Sequence, residues 1–323
     1  MAADDQFGIP FTVRVSPHLD QAREHHIAWL REHSLLTSTA QVQRYLTYRM
    51  SEAVACCYPD AGGADLAVAT DFTGWARLFD DMLDAPGVNS VRTAEEARNR
   101  LLALSSKAPT VSGVSPCTPI ETSFADMWSR VTEGMSPSWQ QRFTRILDRF
   151  LAACCTETRN RQQHTQLTAE QYRTLRRDSV WCEGFFALIE RTNRLEVPAQ
   201  LFSTSQFTVV QNAGSDLVAL LNDLYSFKVE ESKGDCHNMV LITEKERGCS
   251  RDEAIAHVRQ DIKDLTRQFL DGEGHLPALY RSLGLNAHQR LAAERYVEGM
   301  RNFVATTRDW SATSDRYSTE PGQ

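Results

Sequence analysis

No stretch of this 323-residue chain is apolar over anything near the roughly 18 residues that a membrane-spanning helix needs, so membrane insertion is not expected. Its eight cysteines, Cys56, Cys57, Cys117, Cys154, Cys155, Cys182, Cys236 and Cys249, contain no CxxC, and two pairs are vicinal. That pattern disfavours a disulfide framework or a zinc site and leaves buried, reduced thiols as the expectation. Nine histidines form neither HExxH nor ExxH, which removes support for a zincin or a ferritin-like di-iron bundle. A P-loop, a GxSxG and a complete GxGxxG are also missing. Positive charge is in deficit: the net charge of −7 argues against broad binding to nucleic acid or anionic membranes. The opening MAADDQFGIPF has neither the basic nor the apolar region of a signal peptide, so a cytoplasmic location is expected.

Alternating apolar and polar residues are scarce, while 3.6-type periodicity recurs throughout. The patterns predict helices over 18–33, 38–58, 64–84, 93–106, 119–134, 137–163, 168–190, 198–231, 237–247, 250–271, 274–283 and 286–309. Caps are legible at Ser38, Thr93, Ser136-Pro137, Thr168, Ser250 and Asn286. The breaks at Gly62-Gly63, Pro86-Gly87, 105–119 and Gly234 are too short for a domain linker. With a hydrophobic content of 41% the chain can bury a substantial core. A single all-α domain, 1–323, is predicted, with the first ~15 and last ~10 residues flexible.

Two clusters of oxygen-bearing side chains interrupt this ordinary pattern. Asp80, Asp81 and Asp84 lie in FDDMLD, and Asn222, Asp223, Ser226 and Glu230 lie in NDLYSFKVE. Positions 80 and 84 are one i,i+4 step apart; 222, 226 and 230 make two such steps, each turning only about 40° around a helix. Asp81 and Asp223 point about 100° off these stripes and read as supporting residues. Each stripe is an all-oxygen ligand set without Cys or His, suited to a small hard cation, Mg²⁺ above all, that shares its shell with substrate phosphates. One DDxxD on a helix is usually a solvated face. Asn and Ser, both weak helix formers, recurring on one face of an otherwise apolar helix reverse those odds. Residues on the same faces one or two turns earlier include small ones (Gln211, Gly214, Ser215, Val218; Thr73, Ala76), with Phe72, Trp75 and Phe79 beside them. These predict a pocket with ligands at its mouth and apolar walls below, fitting a diphosphate with a hydrocarbon tail.

In their order, these elements resemble the class I terpene synthases of the compact microbial type. DDMLD resembles the family's DDxxD motif. NDLYSFKVE is similar to NDxxSxxxE, GDCHNMV (234–240) to the GDxHN segment, and Trp310 with Arg316-Tyr317 to the terminal W…RY element. Arg176, 46 positions before Asn222, sits where the family's pyrophosphate-sensing arginine lies. The resemblance implies the isoprenoid-synthase α-helical bundle around a central cavity. It further implies three Mg²⁺ ions, with Mn²⁺ as a substitute, held by Asp80, Asp84, Asn222, Ser226 and Glu230. Arg176, Arg316 and Tyr317 would bind diphosphate, and Ser179 and Val180 would be the linker and effector after the sensor. Trp181, Phe185, Phe186 and Trp310 join Phe72, Trp75, Phe79, Gly214 and Val218 as candidate cavity walls. Two departures stand out. Val229 occupies the position of the family's usual Lys, leaving Lys228 or Lys233 as the diphosphate contact, and Val180 stands where a small residue, often Gly, is usual.

The implied activity is metal-dependent ionisation of a linear isoprenoid diphosphate, followed by cyclisation of the carbocation and release of diphosphate. Farnesyl diphosphate is the leading substrate and geranylgeranyl diphosphate the alternative; a homodimer is compatible with the sequence. A prenyl-elongating synthase would carry a second DDxxD where NDxxSxxxE stands. A non-catalytic helical binding protein would have no need of intact metal motifs.

Overall fold

The computed structural model describes residues 7–84, 90–106 and 115–317. Helices carry most of them, and there is no strand among the described residues. In order they are α1 (Leu19–Glu32), α2 (Thr39–Thr47), α3 (Met50–Cys57), α4 (Gly63–Asp84), α5 (Val91–Ser105), α6 (Pro119–Thr132), α7 (Pro137–Gln163), α8 (Ala169–Ser179), α9 (Cys182–Asn193), α10 (Ser205–Ser232), α11 (Met239–Arg247), α12 (Arg251–Ser282) and α13 (Ala287–Ser311). Short 3₁₀ turns occupy Leu201–Ser203 and Asp315–Tyr317.

Hydroxyl and amide caps start many of these helices, because the first backbone N–H groups of a helix need acceptors. Ser38, Thr168, Ser250 and Asn286 form reciprocal capping boxes with Gln41, Gln171, Glu253 and Gln289. Ser136 caps a helix that opens on Pro137. At α5 the cap is Ser90, whose hydroxyl accepts from the Thr93 N–H, so Thr93 lies inside the first turn and is not the cap the pattern suggested.

The chain divides into two compact units: residues 15–165 with 187–194, and residues 1–14, 166–186 and 195–323. In the former, α4 packs against α1, α3 and α6, and α5 against α7. A ladder of rings fills its core. Trp75 stacks on Phe79 at 5.1 Å and contacts Phe124, which stacks on Trp128, and Trp128 on Phe143. Phe72, Trp75 and Phe79 are at most 1% exposed, so they are core, not the cavity walls expected of them. A buried polar cluster sits on the same helix. Asp71 accepts from His25 Nε2, His26 Nδ1 and Arg130 Nη1 at 2.8, 2.8 and 2.9 Å.

In the other unit, α10 is the central helix, packed by α8, α11, α12 and α13. Each oxygen stripe therefore lies on the central helix of its unit. The space beside Gly214, expected to be open, is filled by Phe269, Met300 and Phe186. Phe7, Ile9 and Phe11 are buried, and Arg308 donates to the Ile9 and Phe11 carbonyls at 3.0 and 3.2 Å. From Phe7 onward, then, the N-terminal segment expected to be flexible is pinned by its apolar residues. All eight cysteines are free thiols. No helix among the described residues is long and apolar enough to cross a membrane.

Candidate active site

Arg176 is carried by α8, and the helix stops soon after it. The Val180 N–H bonds the Arg176 carbonyl at 2.9 Å, and Trp181 takes a left-handed φ of 55°. That reversal folds the indole over Gly184, where any Cβ would lie 2.4 Å from Trp181 Nε1. The predicted 168–190 helix is thus two helices, and the linker and effector positions, Ser179 and Val180, are at the break. Trp181 is 2% exposed and packs near Phe185, which retains some exposure and stacks on Phe303.

Arg176 reaches the second stripe directly. Its Nη2 donates to Asn222 Oδ1 at 2.8 Å and to Asp223 Oδ1 at 3.2 Å. Asn222 Nδ2 in turn donates to the Tyr317 hydroxyl at 2.6 Å. A guanidinium can only donate, so these two partners fix which end of the Asn222 amide faces which neighbour. Asp223 is fully buried. It also accepts from the Tyr172 hydroxyl and the Met239 N–H, both at 2.9 Å. Tyr172 lies one helical turn before Arg176, and nothing in the sequence reading singled it out; the i,i+4 spacing within YRTLR was the available signal.

The chain beyond α10 returns to the stripe. Gly234, at φ 75°, terminates α10: its N–H bonds the Glu231 carbonyl, and the Asp235 N–H bonds the Glu230 carbonyl at 3.0 Å. This is a Schellman stop, which needs the left-handed conformation glycine adopts freely. Asp235 then accepts from the His237 N–H at 2.9 Å, turning the chain so that Asn238 caps α11. Asn238 Nδ2 lies 2.8 Å from Glu230 Oε2, 2.9 Å from the Asp223 carbonyl and 3.4 Å from Ser226 Oγ.

Electrostatically this arrangement is short of positive charge. Burial and the nearby Asp223 carboxylate push Glu230 up to about 7, against the opposing pull of Arg176 and of donors from Asn238 and Ser226. Burial likewise raises Asp223, although Arg176 opposes it. Two buried carboxylates facing one guanidinium, beside an amide oxygen and a hydroxyl on one stripe, form a hard-oxygen donor set that a divalent cation fits.

The Asp315–Tyr317 turn lies against the end of α13 and against α10. Tyr317 meets Trp310 edge-on at 5.8 Å and lies near Tyr225, and the Arg316 guanidinium sits over the Trp310 and Tyr317 rings. Within the end expected to be flexible, Tyr317 is held by Trp310, Tyr225 and Asn222. The proposed diphosphate lysines behave otherwise. Lys228 is exposed with its ammonium over the Phe227 ring, and Lys233 is an exposed C-cap residue.

In the first motif, Asp80 is exposed and Asp81 half-buried on α4. Arg77, another residue the sequence reading passed over, bonds Asp80 Oδ2 at 2.8 Å and grips Asp81 with a second nitrogen pair. Asp84 closes α4, and its side chain lies outside the described residues.

The family described as "Terpene synthase family 2, C-terminal metal binding" matches residues 71–268, a span containing both stripes, Arg176 and Asn238. The chain belongs to this terpene synthase family. Pentalenene synthase of Streptomyces avermitilis is 32% identical over 99% of this chain and 95% of its own. The 7-epi-alpha-eudesmol synthase of Streptomyces viridochromogenes, named as (2E,6E)-farnesyl diphosphate cyclizing, is 30% identical over 98% of this chain and 93% of its own. Among solved structures, germacradien-4-ol synthase from Streptomyces citricolor superposes with a TM-score of 0.85 at 31% identity, covering 97% of this chain and 99% of its own. The fold is accordingly the helical fold of class I terpene synthases.

Proposed function

We propose that this terpene synthase is a sesquiterpene cyclase that ionises farnesyl diphosphate with Mg²⁺ and directs the resulting carbocation into a cyclic product. The observation that carries the reading is the charge-deficient stripe of Asn222, Ser226 and Glu230, with Arg176 hydrogen-bonded to its first member. The C15 substrate is supported by the relative whose name specifies farnesyl diphosphate cyclisation.

In this reading Asn222 Oδ1, Ser226 Oγ and a Glu230 oxygen would hold the cation, and Asp80 and Asp84 are the carboxylates of the other metal motif. A divalent cation bound there supplies Lewis-acid neutralisation of the leaving diphosphate. Arg176 is a fork of donors suited to phosphate oxygens. Arg316 adds charge and Tyr317 a hydroxyl donor at the same leaving group. Phe185 and Trp310, which keep exposed ring surface, are the aromatic faces available to a carbocation. Excluding water from that cation is the remaining task, since water would trap it as an alcohol.

The test is incubation of the purified protein with C10, C15 and C20 isoprenoid diphosphates, with and without Mg²⁺, reading diphosphate release and the hydrocarbon products by gas chromatography–mass spectrometry. The expected outcome is cyclic C15 product that needs Mg²⁺. Turnover only of the C20 diphosphate would replace the substrate assignment, and no Mg²⁺-dependent release from any of the three would sink the function.

A further inference from the structure

The residues of the second motif are oriented by groups outside α10. Asn222 is held by Arg176 and Tyr317, and Asp223 by Tyr172 and Met239. Ser226 and Glu230 have a different custodian. Asn238 is fully buried and offers one amide nitrogen to three acceptors on α10. Its two hydrogens serve the two nearer acceptors, Glu230 Oε2 at 2.8 Å and the Asp223 carbonyl at 2.9 Å. Ser226 Oγ at 3.4 Å is the loosest of the three, and its own hydroxyl donates to Glu230.

The other end of the same amide is already committed. Asn238 Oδ1 accepts the Val240 N–H at 2.8 Å as the cap of α11. With the oxygen pinned there, the nitrogen has to face α10, and the amide cannot flip. Capping alone does not explain the residue, because Ser, Thr or Asp caps a helix about as well. None of those three carries an NH₂ that reaches a carboxylate on the neighbouring helix.

Resting on the metal-dependent reading above, we propose that Asn238 is a positioning residue of the cation site: its amide nitrogen occupies one oxygen of Glu230, turning the other, together with Ser226 Oγ, toward the cation. The Schellman stop at Gly234 and the Asp235 turn are what return Asn238 to the stripe eight residues after Glu230. Partners of this kind orient a ligand they do not replace, and losing one typically weakens metal binding about 10–100-fold.

The experiment uses Asn238→Ser in the full chain, which keeps the cap and removes the amide nitrogen. Thermal unfolding is followed while Mg²⁺ is titrated at fixed inorganic pyrophosphate, so the readout is binding and does not depend on turnover. The half-saturating Mg²⁺ is expected to rise about 10–100-fold, while the melting temperature in chelator stays close to wild type because α11 is still capped. On a Glu230→Gln background the same substitution should add little, since the group it positions has already changed. Asn238→Asp, isosteric and able to cap, gives an independent arm. It sets a carboxylate against Glu230 where a donor stood, so its Mg²⁺ midpoint should move. Wild-type midpoints in whichever of the two variants fold would overturn the assignment and leave Asn238 as a cap only. If neither folds at any Mg²⁺ concentration, Asn238 is a structural residue and the assignment is likewise overturned. Failure of the metal reading itself looks different: the wild-type protein would show no Mg²⁺-dependent shift with pyrophosphate at all.

Discussion

Asp223→Asn removes a charge from the point where three helices meet, and the structure lets its cost be worked out. The carboxylate is fully buried and receives Arg176 Nη2 on one oxygen, with the Tyr172 hydroxyl and the Met239 N–H on the other. An amide has two orientations there and each fails. With its NH₂ toward Arg176, donor meets donor, and the bond from the guanidinium to position 223 is lost. With its NH₂ on the other side, the Met239 N–H loses its acceptor, while the Tyr172 hydroxyl can turn to the His237 carbonyl 2.9 Å away. Removing one partner of a buried pair costs about 3–5 kcal/mol, and stranding a buried N–H about 1–3 kcal/mol. Arg176 keeps some solvent access, with 16% of its side chain exposed, which puts the cost toward about 2–4 kcal/mol. At about 2–4 °C per kcal/mol for a chain approaching this size, the melting temperature in chelator should fall roughly 4–16 °C.

Tyr172→Phe is the graded control. It removes one donor from the same carboxylate and should cost about 1.5–3 kcal/mol. Because both substitutions act on one acceptor, the double variant should melt close to Asp223→Asn alone. Calorimetry of the four proteins decides. An Asp223→Asn protein that melts with the wild type would mean the carboxyl is neutral in the folded state, as its burial favours, and that Arg176 does not depend on its charge. Strict additivity would show that Tyr172 acts elsewhere.

The Asp71 cluster sets the acid limit. Burial opposes ionisation, but hydrogen bonds from His25 and His26 and the Arg130 charge outweigh it and hold Asp71 at about 2. Depression below the usual carboxylate value contributes about 2 kcal/mol that is present above pH ~4 and lost as pH falls through the folded value. His25 is raised by its bond to Asp71, so its contribution is full below about pH 6.5 and fades as pH rises through its own folded value. Stability against urea from pH 2 to 8 should therefore lose both slopes in Asp71→Asn, and an unchanged profile would remove the cluster from the account. Tyr317→Phe takes away the acceptor of the Asn222 Nδ2 proton. It should raise the Mg²⁺ requirement and the share of acyclic alcohol with little change in melting temperature, and wild-type values of both would leave the Arg-Tyr element without a role.

Features that depend on local spacing were legible before the structure. The 222–226–230 stripe was visible because oxygen ligands recurred at helical period on an apolar helix. Five of the six caps expected from the sequence are caps in the structure, because a hydroxyl or amide precedes a periodic run. Breaks written in non-glycine residues were not. Arg49 and Trp181 both take a left-handed φ and split helices that looked continuous at 38–58 and 168–190. The opposite error was the gap between the predicted helices 250–271 and 274–283, where Gly272 stands. Helix α12 runs through it, and its missing side chain lets Val210 approach, since a Cβ would meet Val210 Cγ2 at 2.8 Å. Tyr172, and the role of Asn238 within the GDCHNMV segment, were hidden for another reason. Tyr172 acts on a carboxylate 51 positions away, and Asn238 acts only because a Schellman stop folds it back. Tertiary approach of that kind leaves no periodic trace. The aromatic residues before the first stripe illustrate the same limit, because a ring reads alike whether it faces a cavity or other rings.

The choice of an amide at position 222 follows from the charge balance around it. Asp223 and Glu230 already place two carboxyl groups in a region where burial raises both, against one guanidinium. A third carboxylate would strengthen cation binding but would load the metal-free state with another buried negative charge. Asn222 supplies a ligand oxygen without that charge, and its NH₂ also engages Tyr317, which links the stripe to the C-terminal turn. On the proposed reading, this set of amide, hydroxyl and carboxylate would bind a hard cation weakly by itself, and the phosphate oxygens of the substrate would complete the shell. Tight metal binding would then wait for diphosphate. That order suits a reaction whose dangerous species, the free carbocation, should form only after the substrate is in place.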